Sequence, residues 1–471
     1  MSSPLDLALN LARSRTERSV ESLAALVRIR SLTGEEGAAQ AHMARLLQVL
    51  GAEVTCEEPD VQQLFQRYPQ VAQYPTHWQH DLILPYAHLP SYEALLGSGL
   101  EGVLNYRQRP NVVGLLRGSG EGSGRSLILN GHVDTVTVEP TGEWRHDPFG
   151  AELHNGLMYG RGTSDMKGGL MAALMALTCL REAGIHLRGD VIYQCVVNEE
   201  HAGNGTLDLV RRGCKADAAI VLEPTGNTVA VGHTGGLYWQ VSILGVPRSP
   251  GARWRGEVQD GVSAIEKLPC VIEALLGMER DCNARRSNDV LEQGRAPFSL
   301  VIGKVQGGHY ETVTAGEVLL KGGAYFSPQV GSIGEVMQRF TTVVAQAAAG
   351  DAFLREHPPR VEFLHHDDSV RQDSGIEVAQ SMTAALQRRG GSGRIHPGPF
   401  CCDMRHLVNQ AGIPSIIFGP GSIAQAHKAD EHIVVAEYLT GIEHLIEFIH
   451  EWCMGEGSVM TGLGRGPFRS G

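Results

Sequence analysis

Hydrophobic residues recur along the chain with two different periods, and the two kinds of stretch alternate. Helical spacing occurs at 16–29, 36–50, 166–182 and 207–212. Short apolar runs typical of buried strands occur at 52–56, 111–115, 126–130, 190–197, 218–222 and 415–418. Strands that alternate with helices in this way are typical of the α/β class. The pattern therefore predicts a mostly parallel sheet with helices on both faces.

Three segments depart from this alternation. Between 236 and 363, strand-like stretches at 237–244, 298–305 and 318–326 are mixed with helical ones at 262–276 and 333–348, which indicates a change to an α+β pattern. Residues 57–110 contain Pro, Tyr and Gln, show little periodicity and form an insertion to which the sequence gives no role. The glycine-rich end, 454–471, predicts a flexible tail.

Length and composition limit the class of protein. A chain of 471 residues is too long for one core and predicts two or three domains. Its net charge of −12 argues against nucleic acid or an anionic membrane as a partner and favours a small molecule. We expect a cytoplasmic protein, because the sequence shows no apolar run of roughly 20 residues, no secretory signal and no C-x-x-C pair among its nine cysteines.

Side chains of the types that can bind metal ions stand where predicted strands end or where the helix 166–182 begins. They are His132, Asp134, Asp165, Glu199, Glu200 and Glu223. The carboxyl ends of parallel strands meet at one edge of a sheet, so we expect these side chains to converge there. Five carboxylates around one histidine would repel one another, and two divalent cations would remove that repulsion.

A second histidine is needed late in the chain, where another short strand, 415–418, precedes two candidates. His427 is the favoured ligand, and His432 is the competing one, although it stands where the following helix is predicted to begin. Within the first cluster, the spacing of His132 and Asp134 lets a carboxylate accept the second ring N–H of a metal-bound histidine. The sequence thus predicts a two-metal site with two imidazole ligands.

Five stretches, taken together, resemble a known enzyme family. In chain order they are GHVDTV, GRGTSDMKGG, NEE, VLEPTG and AHKADEH, within about residues 110–435. This set resembles the di-zinc amidohydrolases and metallopeptidases that include acetylornithine deacetylase, succinyl-diaminopimelate desuccinylase, aminoacylase and carboxypeptidase G. The resemblance implies two divalent ions, zinc or alternatively cobalt.

The resemblance also implies a role for each residue. One zinc would be held by His132 and Glu223, the other by Glu200 and His427, and Asp165 would bridge them. Asp134 would orient His132, and Glu199 would be the general base. A cis peptide is expected after Asp165. The inserted unit, 236–363, would be a lid that forms a homodimer, and 1–235 with 364–471 would be the catalytic domain.

Three positions of the lid depart from the family pattern. Ser249 stands where a histidine that stabilises the oxyanion is usual, Thr312 where a substrate-binding asparagine is usual, and Tyr325 where an arginine usually binds the substrate carboxylate. We therefore expect a substrate other than a plain N-acetyl amino acid. Either it lacks an α-carboxylate, or another residue replaces the missing arginine. The candidate substrate contacts are Arg405, His309, Tyr325 and Arg253.

These observations predict a metal-dependent hydrolase that removes an acyl group from an N-acyl amino acid or N-acyl amine, such as a deacetylase. A dipeptidase or carboxypeptidase is the enzymatic alternative, because it breaks the same kind of bond. A catalytically weakened, dimeric amide-binding protein is the alternative from another class. The sequence lacks the H-E-x-x-H, G-x-S-x-G and G-x-x-x-x-G-K-[ST] motifs of other enzyme classes.

Overall fold

A computed structural model describes residues 3–79, 92–119, 124–284 and 296–455. Its helices are α1 (Pro4–Ser14), α2 (Thr16–Val27), α3 (Gly37–Val49), α4 (Val61–Arg67), α5 (Tyr92–Gly97), α6 (Lys167–Glu182), α7 (Asn204–Arg211), α8 (Leu268–Ala284), α9 (Ile333–Ala349), α10 (Ala352–Glu356), α11 (Glu377–Arg388) and α12 (Val435–Met454). The predicted tail lies outside the described residues from 456 onwards.

The strands build two main sheets and two small ones. They are β1 (Glu53–Glu57), β2 (Asn111–Leu116), β3 (Leu127–His132), β4 (Glu152–His154), β5 (Leu157–Tyr159), β6 (Val191–Val196), β7 (Ala218–Val221), β8 (Val229–His233), β9 (Gly235–Leu244), β10 (Trp254–Arg255), β11 (Val258–Gln259), β12 (Phe298–Gly307), β13 (Glu317–Phe326), β14 (Arg360–Asp367), β15 (Val370–Arg371), β16 (Ile395–Gly398), β17 (Ser415–Ile417) and β18 (His432–Val434). The small sheets are β10-β11 and β18-β5-β4.

The larger main sheet has the order β1-β2-β6-β3-β7-β17-β8-β15, with β16 paired to β8. Pairing is parallel at the centre, from β6 through β3 and β7 to β17. It is antiparallel between β1 and β2, β2 and β6, β17 and β8, and β8 and β15. The predicted α/β class is confirmed, and the sheet is mixed, because a buried strand has the same apolar pattern whichever way its neighbour runs.

Helices cover both faces of this sheet, and the side chains of β3 show how. Leu127 and Leu129 pack into a core shared with α1, α2, α3, α6, α11 and α12. Ile128 points the other way, into a core with Leu209 and Val210 of α7. This period of two is that of an extended strand buried on both faces. Helix α6 lies almost wholly inside the first core, as its nearly continuous apolar sequence predicts.

The second main sheet, here called the lid sheet, is antiparallel and has the order β12-β13-β9-β14. Its core includes side chains from α8 and α9. Strand β14 was not predicted, because its sequence RVEFLHHD has too few apolar residues for a clear alternation. The predicted boundary between 363 and 364 falls within β14. The division of the chain into catalytic and lid units stays a prediction.

Candidate metal centre

The predicted ligands lie at the carboxyl ends of adjacent parallel strands. His132 is the last residue of β3, Glu199 and Glu200 follow β6, and Glu223 follows β7. Because these three strands run in the same direction, their ends deliver the side chains to one edge of the sheet. The predicted convergence of the strand-end side chains is therefore present in the structure.

The imidazole of His132 is at the centre of this cluster and is fully buried. Its Nε2 lies 3.3 Å from Asp165 Oδ1, 3.7 Å from Glu199 Oε2 and 3.6 Å from Glu223 Oε1. The same nitrogen makes no hydrogen bond with a described residue. A buried nitrogen that faces three carboxylates without a hydrogen bond fits a metal ion in the space between them.

Asp165 connects this half of the site to the second half. Its Oδ2 lies 3.5 Å from Nε2 of His427, and the same nitrogen lies 2.9 Å from Glu200 Oε2. The two carboxylate oxygens of Asp165 thus face two different imidazoles, as the predicted bridging ligand requires. The expected cis peptide between Asp165 and Met166 is present. The competing candidate, His432, has its Nδ1 2.9 Å from the Asp430 carbonyl oxygen and its ring centroid 5.1 Å from that of Tyr159.

Asp134 holds the backbone of the neighbouring acidic pair. Its Oδ1 accepts the N–H of Glu199 at 3.1 Å, and its Oδ2 accepts the N–H of Glu200 at 3.3 Å and the Thr33 hydroxyl at 2.9 Å. The ring Nδ1 of His132 is 2.9 Å from the Asp134 carbonyl oxygen and 3.6 Å from its carboxylate. Asp134 therefore contacts His132 mainly through its backbone, and its predicted orienting role stays a prediction.

The charges of the cluster strongly shift its protonation. Burial raises the pKa of Glu199 and, together with Asp165, that of Glu223. Burial disfavours protonation of His132, but Asp165, Glu199 and Glu223 outweigh it and raise its pKa. Protons thus compensate the crowded negative charge, and divalent cations would do the same.

Two overlapping groups of ligand atoms are close enough to hold ions. One group is His132, Glu199 and Glu223, and the other is His132, Asp165 and Glu200, with all atoms of a group within 4.8 Å of one another. Nitrogen and carboxylate oxygen ligands suit zinc. In this geometry Glu199 is as close to His132 as Glu223 is, so its assignment as the free general base stays a prediction.

Glu431 is a supporting residue that the sequence analysis did not single out. It is fully buried, pairs with Arg161 at 2.8 Å, and accepts the backbone N–H groups of Gly162, Ser164 and Asp165 at 3.0–3.1 Å. One carboxylate therefore fixes the loop that presents the bridging aspartate. The residue lies within the stretch AHKADEH, but only the fold brings it to the loop before α6.

The insertion at 57–110 contacts the loop that carries Glu199. Asn198 is buried with a φ of 61°, a conformation that few residues other than glycine adopt. Its Oδ1 accepts the hydroxyl of Tyr106 at 2.8 Å and the N–H of Thr76 at 3.2 Å, while its Nδ2 donates to the Thr76 hydroxyl at 2.6 Å. The insertion thus fixes the residue that immediately precedes the acidic pair.

A cavity of about 130 Å³ opens beside the cluster. It is lined by Asp165, Glu199, Glu200, Glu223, Gly236, Tyr238, Tyr325, His365, Asp367, Phe400, Cys401, Arg405, Ile423 and His427. Two of the predicted substrate contacts, Arg405 and Tyr325, therefore lie at the site. The other two, His309 and Arg253, do not line this cavity within the described chain, and their roles stay predictions.

Arg405 is buried and paired with a carboxylate of the chain. Its Nη2 lies 3.0 Å from Asp367 Oδ1, and Asp367 also contacts His365 Nε2 at 2.6 Å. Burial opposes ionisation of Asp367, but Arg405 and His365 hold its pKa below the usual range. Asp367 was not singled out by the sequence, since it lies at the end of the unpredicted strand β14.

The comparison with protein families agrees with this geometry. The sequence profile of peptidase family M20/M25/M40 matches residues 128–451, a range that contains all the predicted metal ligands: His132, Asp165, Glu200, Glu223 and His427. The chain belongs to this family. M20 family enzymes are metal-dependent hydrolases of amide bonds, and the resemblance found in the sequence is confirmed. The enzyme class is therefore an amidohydrolase.

Individual relatives of this M20 family member include deacylases and peptidases. A curated N-formyl-4-amino-5-aminomethyl-2-methylpyrimidine deformylase from Halalkalibacterium halodurans is 32% identical over 383 residues, or 78% of this chain and 88% of that protein. A deformylase of the same name from Bacillus subtilis is 31% identical over 364 residues, or 74% and 84%. The solved structure of a di-peptidase from Saccharomyces cerevisiae shares the fold, with a TM-score of 0.69 and 14% sequence identity. The match covers 97% of this chain and 100% of that protein.

Proposed function

We propose that this chain is a di-zinc hydrolase that removes the acyl group from an N-acyl amine without an α-carboxylate. The metal assignment rests on the surroundings of His132. Its Nε2 is buried and faces the carboxylates of Asp165, Glu199 and Glu223. When bound, two zinc ions polarise the amide carbonyl and acidify the attacking water. Cobalt is the alternative metal.

Side chains of this chain would bind the ions and transfer the proton. His132 and Glu223 would bind one ion, Glu200 and His427 the other, and Asp165 both. Glu199 would take a proton from the attacking water and return it to the amide nitrogen as the C–N bond breaks, which releases a carboxylic acid and an amine. Asp134 supports this step because it binds the backbone N–H of Glu199.

The nature of the substrate follows from the charges that line the cavity. Among the described residues that line the cavity, Arg405 is the only Arg or Lys, and it is paired with Asp367. The lining histidines His365 and His427 also face carboxylates, those of Asp367 and Glu200, so no described lining residue offers an unpaired cation to a carboxylate. The Halalkalibacterium halodurans relative is named for an N-formyl amine, which supports an N-acyl amine over an N-acyl amino acid here. A cavity of about 130 Å³ also favours a small substrate.

The test combines metal analysis with release of amine. We expect about two zinc ions per chain in protein purified without chelator, and faster hydrolysis of N-formyl and N-acetyl amines than of matched N-acetyl amino acids or dipeptides. Faster release from dipeptides would establish the peptidase alternative. Zinc-loaded protein that releases no amine from any compound at any pH would establish the non-catalytic alternative.

We further propose a homodimer formed through the lid sheet. Strand β12 is an edge strand of that sheet, and Val301 and Val305 on it are 59% and 50% exposed. An exposed apolar edge is suited to pairing with a second chain. Sedimentation of the wild type and of a Val301→Lys variant tests this, since the variant should shift toward the monomer.

A cytoplasmic location also stays a proposal, supported by nine cysteines without a disulfide. Among the described residues, no helix combines the length and apolar character that a membrane span requires.

A further inference from the structure

Two tyrosines lie side by side on one face of the lid sheet, next to the metal cluster. In the register of β9 and β13, Tyr238 is opposite Gly323, and Tyr325 is opposite Gly236. Residues two apart on a strand share a face, so both phenol rings are on the same side of the sheet as diagonal neighbours. Both rings line the cavity that contains Glu199.

The opposing glycines allow the rings to lie across the sheet. A Cβ atom on Gly323 would lie 3.2 Å from Tyr238 Cδ1, and one on Gly236 would lie 3.8 Å from Tyr325 Cε1. A larger residue in place of Gly323 would push the Tyr238 ring away. The ring of His365 on β14 extends this surface, with its centroid 5.2 Å from that of Tyr238. We call Tyr238, Tyr325 and His365 the aromatic wall.

The two tyrosines of the aromatic wall are uncharged near pH 7 and accessible. Burial raises the pKa of both phenols, so they stay neutral near pH 7. Tyr238 and Tyr325 are each 46% exposed. An accessible, neutral pair of rings is suited to stacking with another ring and offers its hydroxyl groups for hydrogen bonds.

We propose that the aromatic wall binds the amine portion of the substrate as an uncharged, planar aromatic ring. The amide would then be directed toward Glu199, since the same cavity holds the wall and the acidic cluster. The inference rests on the proposed deacylase function and adds the class of amine. Tyr325 occupies the position of the family's usual arginine. In this proposal it contacts the ring of the substrate, where that arginine would contact a carboxylate.

Three matched substrates test the proposal with the zinc-loaded full chain. They are N-acetylbenzylamine, N-acetyl-cyclohexylmethylamine, which has the same carbon skeleton without planarity, and N-acetylphenylglycine, which adds an α-carboxylate. We expect the benzyl compound to have the highest kcat/KM. Tyr325→Leu and Tyr238→Leu should each raise its KM about threefold to tenfold and change the KM of the cyclohexyl compound less than about twofold.

The matched control is Tyr310→Leu, because Tyr310 is 65% exposed on the lid and does not line the cavity. It should leave all three reactions unchanged. Equal kcat/KM for the benzyl and cyclohexyl compounds, or equal losses on both in Tyr325→Leu, would overturn the aromatic wall and leave the deacylase intact. Preference for N-acetylphenylglycine, or no hydrolysis of any compound, would overturn the proposed function and this inference together.

Discussion

Asp367 pairs with Arg405 beside the metal cluster, with Oδ1 and Nη2 3.0 Å apart and only 9% and 4% of the two side chains exposed. The pair joins the end of β14 in the lid sheet to the first turn of the helical segment at 404–410. Because the two charges compensate each other, we expect the pair to brace this side of the cavity and to attract a substrate anion less strongly than an unpaired arginine would.

Replacing Asp367 should therefore change substrate preference. In Asp367→Asn the guanidinium loses its anionic partner, and we expect kcat/KM for N-acetyl amino acids to rise about tenfold relative to matched N-acetyl amines. Steady-state kinetics on both series measures this ratio. The control is Asp368→Asn, since that carboxylate accepts the N–H of Ile333 instead. An unchanged ratio in Asp367→Asn, with the fold intact, would contradict the argument.

Replacing Glu199 separates the roles of the two adjacent glutamates. We expect Glu199→Gln to lower kcat by roughly 10²- to 10⁴-fold, because the amide cannot accept a proton, while metal content stays unchanged. Glu200→Gln should lose activity and metal together, since Glu200 contacts His427 at 2.9 Å. Metal analysis and kinetics on each variant distinguish the two. Loss of one ion in Glu199→Gln would show that Glu199 is a ligand.

The hydroxyl of Tyr106 should affect catalysis through Asn198. Tyr106→Phe removes the hydrogen bond of 2.8 Å to Asn198 Oδ1 and loosens the loop that presents Glu199. We expect kcat to fall about threefold to tenfold, with KM and metal content within twofold of the wild type. Tyr92→Phe removes a hydroxyl elsewhere in the same insertion and serves as the control. Equal kcat values in the two variants would rule out this support.

Acid should destabilise the protein through His233. Burial lowers the pKa of this histidine to about 4, whereas in the unfolded chain it is about 6.5. Protonation thus favours the unfolded chain, so the contribution to stability is complete above pH 6.5 and is lost as the pH falls toward 4. We expect a loss of ~2 kcal/mol in the free energy of unfolding by pH 5.

Denaturant titrations at pH 7 and pH 5 measure this loss. His233→Gln should show a smaller difference between the two pH values than the wild type does. His186→Gln is the control, because His186 is exposed. If the pH dependence is the same in all three proteins, His233 does not cause it.

The sequence by itself predicted the α/β class and the strand ends, and it singled out the side chains that converge at one edge of the sheet. It did so because a strand buried on both faces requires a continuous apolar run, and the polar residue that ends the run marks the edge of the sheet. His132, Glu199 and Glu223 are such residues.

Only the tertiary structure decided which groups surround that cluster. Strand direction at the sheet edges was also decided only there. Three contacts join residues 38 to 266 positions apart in the sequence: Asp367 with Arg405, Tyr106 with Asn198, and Glu431 with the loop of Asp165. Local periodicity carries no information on such pairs, because they form only when separate elements pack together. The same holds for Tyr238 and Tyr325, whose shared face depends on the register of β9 and β13.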